Sequence, residues 1–126
     1  MIKFNKEKVL LLHKLMSQAL DGDVSVKDEE LLKEIIGNVY SVYGGAELYP
    51  SIEEKAAKLG SSIISNYAFA EGNKGIGMYA MLVFLELNGV KLNLSDDDVY
   101  TMGMAVADGS SDYYSLLKWI EKHRSE

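Results

Sequence analysis

The sequence predicts an all-α protein, a bundle of roughly six helices packed around a buried central helix over residues 74–88. Three observations predict it. The run KGIGMYAMLVFLELN at 74–88 is apolar on nearly every side and stops at Asn88-Gly89, a pair suited to closing a helix. Ser51-Ile-Glu-Glu54, directly after Pro50, has the serine and glutamate of a reciprocal capping box. Elsewhere apolar residues recur at helical spacing between glycine and aspartate breaks.

Asn5 can cap a first helix whose apolar face runs Val9, Leu12, Met16, Leu20 and ends at the turn Asp21-Gly22-Asp23. His13, on or beside that face, reads as a packed structural histidine rather than a catalytic one. A second helix starts near Asp28, carries Leu31, Leu32, Ile35 and Ile36, and has Gly37 near its end. Residues 40–50, YSVYGGAELYP, break the period with Gly44-Gly45 and Pro50, and Tyr40, Tyr43 and Tyr49 offer adhesive surface. The segment is either a packed connecting loop or a flap over a binding groove.

The helix opened by Ser51 buries Ile52, Ala56, Leu59, Ile63 and then Tyr67 or a neighbour. A short loop over residues 67–73 leads into the 74–88 helix. At roughly 15 residues, with Lys74 and Glu86 in it, that helix is too short and too charged to span a bilayer. Residues 90–93 form an extended link. Ser95 and three aspartates start a further helix, placing acids at the positive end of its dipole, and Gly109 ends it. Ser110 or Ser111 then caps a last helix that turns Leu116, Leu117 and Ile120 inward.

Composition narrows the function. A chain of 126 residues suits one domain, residues 1–126. With no cysteine and only His13 and His123, disulfide frameworks, thiolate zinc sites and histidine-rich metal sites are excluded. The start, MIKFNKEKVLLLHKL, interrupts its apolar residues with charge and reads as a folded helix, not a signal peptide, so a cytoplasmic location is expected. The net charge is −6, and Arg124 is the one arginine among scattered lysines, so neither nucleic acid nor membrane is an expected partner.

The loop Phe69-Ala-Glu71-Gly72-Asn73-Lys74 is the most unusual local feature. A glycine stands where the chain enters a helix whose first N–H groups lack internal partners, with a lysine in the first turn. Those features could cradle an anion, and Glu71 could hold magnesium, which takes one or two carboxylates and fills its sphere with phosphate and water. The same residues also make an ordinary charged turn.

The stretch Ser65-Asn66-Tyr67-Ala68-Phe69-Ala70-Glu71-Gly72-Asn73-Lys74-Gly75 resembles the Fic/Doc signature, His-Pro-Phe-x-Asp/Glu-Gly-Asn-Lys/Gly-Arg followed by an apolar helix and Asn-Gly. The runs VKDEELL (26–32), LYPSIEEKAAKLG (48–60) and LVFLELNGVKL (82–92) are similar to the short death-on-curing branch as well. The resemblance implies a toxin of a toxin–antitoxin module. Such a toxin uses ATP and Mg2+ to transfer a phosphoryl or AMP group to a protein hydroxyl, with elongation factor Tu as a target and an antitoxin as partner. Glu71 then matches the metal-binding acid, Gly72, Asn73 and Lys74 the turn around the nucleotide phosphates, and Phe69 an aromatic that pins the loop. Ala68 replaces a frequent proline.

Two departures bear on activity. Tyr67 occupies the position of the catalytic histidine, and Gly75 that of the phosphate-gripping arginine. Imidazole, with a pKa of about 6.5, is a neutral proton acceptor at pH 7, whereas a phenol titrating near about 10 is ionised in roughly one molecule in a thousand. General-base catalysis is worth about 10²–10⁴-fold, and a guanidinium fork matches phosphate oxygens as no backbone amide can. The chain is therefore expected to be catalytically silent or nearly so. The alternative is a non-catalytic binding module that keeps the groove and engages an antitoxin or another protein.

Overall fold

A computed structural model describes residues 1–17, 26–67, 69, 70 and 72–125, without the side chains of His13, Leu15, Met16 and Ser17. Six helices occur among the described residues: α1 Lys6–Ser17, α2 Glu29–Asn38, α3 Ile52–Asn66, α4 Asn73–Leu87, α5 Asp96–Ala107 and α6 Tyr113–His123. No described helix is long and apolar enough to cross a membrane. The turn expected at Asp21–Asp23, the packing of His13, Met16 and Leu20, and the positions of Ala68 and Glu71 fall outside the described residues.

Side-chain caps set most helix starts. Asn5 accepts from the Lys8 N–H at 2.9 Å, and Asp28 from the Leu31 N–H at 3.0 Å. At α3 the box is complete: Ser51 Oγ accepts from Glu54 N–H at 3.0 Å, and Glu54 Oε1 from Ser51 N–H at 3.3 Å. Ser95 and Asp98 build a second box at α5, whose hydrogen bonds hold the Asp98 carboxyl below its ordinary pKa. One expected cap is corrected. Asp112, not Ser110 or Ser111, caps α6, accepting from the Ser115 N–H at 3.0 Å. Both serines are spent closing α5: Ser110 Oγ and Ser111 N–H donate to the Ala105 carbonyl at 3.2 and 2.9 Å.

The core lies between α3 and α4, with α1, α5 and α6 packed around that pair and α2 against α3. Phe84, Met81, Ile76 and Leu85 of α4 meet Leu59, Ile63 and Ile64 of α3, and Leu116 and Ile120 of α6 join the same cluster. The two central helices approach closely because glycines face each other. A Cβ on Gly77 would stand 2.5 Å from Ile64 Cγ1 and 2.9 Å from the Gly60 carbonyl oxygen. α4 is the buried central helix predicted, but not on every side. Tyr79 is 42% exposed and Glu86 and Leu87 are exposed, because α5 covers only part of that side. Burial is shared: α3 is as deeply enclosed as α4.

Residues 40–50 are a connection with some regular structure. They contain a short antiparallel ribbon, β1 Val42–Tyr43 against β2 Ala46–Glu47, in register Val42↔Glu47 and Tyr43↔Ala46. Gly44 (φ 60°) and Gly45 (φ 82°) make its two-residue turn with both residues left-handed, a conformation that glycine adopts without strain. The extended link after α4 pairs with the chain end: Asn93 N–H donates to His123 O at 2.8 Å and Ser125 N–H to Lys91 O at 2.9 Å.

Candidate active site

The corner between α3 and α4 gathers the residues singled out in the sequence. α3 ends on Tyr67 in the left-handed conformation (φ 54°, ψ 47°), the one non-glycine with positive φ among the described residues. That conformation costs an L-residue roughly 1–2 kcal/mol, so the corner is held from elsewhere. Tyr67 or a neighbour was expected on the buried face of α3; Ile64 is buried there, whereas the left-handed turn leaves Tyr67 56% exposed.

Phe69 and Asn73 do the holding. The Phe69 ring is buried, and its backbone bridges Val26. The buried Asn73 amide grips the same residue from both sides, accepting from Phe69 N–H at 3.1 Å and donating to Phe69 O at 2.9 Å. This ring of hydrogen bonds closes the loop against the first turn of α4. Asn73, assigned from the sequence to the phosphate turn, has its side chain turned inward to shape that turn.

Gly72 is the N-cap of α4 at φ 80°, with no side-chain cap, and its carbonyl accepts the first helical bond from Ile76 N–H at 2.9 Å. Among the described residues no side chain replaces the asparagine, serine or aspartate that covers the other helix starts, so the first-turn N–H groups are left to a ligand or solvent. Lys74 has its backbone in that turn and its ammonium on α5. Nζ lies 3.0 Å from Met104 Sδ and 5.0 Å from the centre of the Tyr100 ring. Its stem runs past Gly103, where a Cβ would come within 3.3 Å of Lys74 Cγ. Gly75 borders a groove of about 400 Å³ between α4 and α5. No group of three or more acidic or histidine side chains that could hold a metal occurs among the described residues. A magnesium ion here would need Glu71, with phosphate and water completing its sphere.

A family model described as "Fic/DOC family" matches residues 3–85. The chain belongs to the Fic/DOC family. It is 36% identical over 83 residues to "Toxin Doc" of Mycolicibacterium smegmatis, a match covering 66% of this chain and 63% of that protein. The matched region runs from α1 into α4 and takes in the corner. It leaves α5 and α6 outside.

The footing of the ribbon before α3 was not foreseen. Tyr43 is 80% exposed, but the other two tyrosines of the segment are packed. Tyr40 OH pairs with both backbone groups of Phe4, and burial raises its phenol pKa. Tyr49 stacks edge-on against Tyr113, whose phenol is pushed up to about 12 by burial and then by the Glu54 charge. Lys55, only 1% exposed, is the deeper anchor. Its ammonium donates to the carbonyls of Tyr49 and Pro50 at 2.5 and 3.3 Å and pairs with Glu47 at 3.0 Å. The available signal was a lysine on the apolar stripe Ile52–Ala56–Leu59–Ile63. Lys55→Met should release the ribbon without unfolding the bundle, because two carbonyls lose their donor while α4 is untouched. Hydrogen exchange should accelerate about tenfold or more over residues 42–50 and stay constant over 76–87. Equal acceleration in both would make Lys55 a plain core residue.

Proposed function

We propose that this chain descends from nucleotide-dependent toxins of toxin–antitoxin modules and keeps their phosphate-binding corner with the catalytic groups removed. The observation that carries the proposal is the start of α4, where left-handed Gly72 leaves the first turn without a side-chain cap. ATP would place its phosphates there, Glu71 would hold Mg2+, and the metal would neutralise charge on the transferring group. In the reaction so implied, a target hydroxyl oxygen bonds to the γ- or α-phosphorus, and ADP or pyrophosphate leaves. The hydroxyl proton passes to a base at position 67. Tyr67 is a poor acceptor for it, and Gly75 offers no side chain to grip the phosphate. A cytoplasmic location, an antitoxin partner and elongation factor Tu as ancestral target belong to this proposal.

Titration calorimetry with ATP and Mg2+ tests the corner. Weak binding is expected, lost in Glu71→Ala; an affinity unchanged by that substitution would place the site elsewhere. The second reading, a binding module without nucleotide, draws support from exposed Val42, Tyr43 and Leu48 on and beside the ribbon. It would be favoured by a chain that captures an antitoxin yet shows no heat with ATP.

A further inference from the structure

We propose that Met104 is an oxidation site, and that its sulfoxide captures the Lys74 ammonium and holds it on α5. This methionine lies on a helix beyond the residues matched to the family. Of the four methionines on α4 and α5, Met78, Met81 and Met102 are 3%, 0% and 8% exposed, whereas Met104 is 40% exposed. Oxidation of a thioether follows access of the oxidant to sulfur, so among these four it starts at Met104. Its sulfur also has a cation beside it, Lys74 Nζ at 3.0 Å.

The contact is built by the packing of the two helices. Gly103 is buried and has no side chain, so the Lys74 stem lies across α5, its Cγ 3.3 Å from where a Cβ would stand. The ammonium ends beside Met104 and over Tyr100, one turn earlier on α5, at 5.0 Å from the ring centre. No carboxylate pairs with it among the described residues. A thioether is a weak acceptor, so Lys74 is held lightly. With a peroxide as oxidant, a sulfur lone pair attacks one peroxide oxygen, the O–O bond breaks and an S–O bond forms. Sulfur loses two electrons, and the leaving hydroxide takes the proton of the transferred hydroxyl and departs as water. The ammonium stabilises the negative charge that develops on the leaving oxygen. The product offers Lys74 a polar S–O oxygen and a charge-assisted hydrogen bond in place of the weak one. Reductases return sulfoxide to thioether, so the capture is reversible. The site stands on this contact alone, but its consequence rests on the phosphate-binding reading of the corner: captured Lys74 is withdrawn from anions bound at the start of α4.

The test treats the full chain and Met104→Leu with hydrogen peroxide. Peptide mass mapping follows each methionine, the rate of acetylation by acetic anhydride follows Lys74, and calorimetry with inorganic tripolyphosphate and Mg2+ follows the corner. Met104 should take up oxygen about tenfold faster than Met78, Met81 or Met102. As it does, acetylation of Lys74 should slow by about fivefold. Tripolyphosphate should weaken by about tenfold, as loss of one hydrogen bond to a charged group does. Peroxide should change neither in Met104→Leu, and Met104→Gln, with an amide oxygen in place of the sulfoxide, should reproduce both without oxidant. Oxidation of the four methionines at one rate, or Lys74 acetylation indifferent to oxidation of Met104, would overturn the proposal. If Lys74 is captured but tripolyphosphate binding is absent or indifferent, the oxidation site stands and the place of Lys74 at the phosphate corner falls.

Discussion

Tyr67→His and Gly75→Arg made together should raise labelling of the proposed protein target by about 10²-fold or more over either single change. The structure accepts both. Histidine is better tolerated than tyrosine at a left-handed position, so the φ of 54° at residue 67 favours the reversion. Gly75 lies inside α4 and is partly exposed, where arginine gains helix propensity by up to about 1 kcal/mol. Alone, Tyr67→His restores a proton acceptor facing a poorly held phosphate. Alone, Gly75→Arg makes a ground-state contact that tightens nucleotide binding more than it speeds turnover. The two act on one transition state, so their joint effect should exceed the product of the singles. Purified elongation factor Tu with ATP labelled on the γ- or α-phosphate, run against all four proteins, reads both the rate and the group transferred. Strong labelling by the unaltered chain would mean that Tyr67 is no handicap. A folded but inert double variant would mean that the lineage or the target has been misread.

What was legible in the sequence was local. The Ser51–Glu54 box, the α4 stop at Asn88-Gly89 and the glycine that opens α4 each depend on neighbours within a turn, and each is found at its predicted place. The ribbon was legible in part, since Gly44-Gly45 directly after Val42-Tyr43 is a two-residue hairpin signal, but Ala46-Glu47 does not favour a strand and the segment was read as either a packed connecting loop or a flap. The α6 cap went wrong because Ser110 and Ser111 are consumed by the end of α5, which only the three-dimensional turn reveals. The same limit governs the site. Motif positions could be assigned in order, but Lys74 meets Met104 thirty residues on, and Asn73 turns its amide onto Phe69. Neither partner is implied by spacing along one helix.

Gly77→Val should cost about 3 kcal/mol or more and lower the melting temperature by roughly 10 °C, the largest single-residue loss expected in the core. The first added carbon alone would sit 2.5 Å from Ile64 Cγ1 and 2.9 Å from the Gly60 carbonyl oxygen. Ile64 is fully enclosed and cannot swing away, and the Gly60 oxygen belongs to the α3 backbone, so relief requires α3 and α4 to separate. Valine's better helix propensity returns only a few tenths of a kcal/mol against that strain. Gly60 is a milder case, since its nearest neighbours are Met81 side-chain atoms at 3.1 Å and one of them, the sulfur, is flexible. Gly37 in α2 has nothing within 4 Å, so Gly37→Ala should stabilise the fold by about 0.5–1 kcal/mol. The order Gly77→Val, Gly60→Ala, Gly37→Ala, from most to least damaging in thermal melts, is specific to this helix crossing. The consequence reaches the site, because the corner from Tyr67 to Gly72 joins the ends of these two helices. Gly77→Val should therefore weaken nucleotide binding even at temperatures where the chain remains folded. A Gly77→Val protein that melts like the parent would show that α3 and α4 do not meet at this glycine pair.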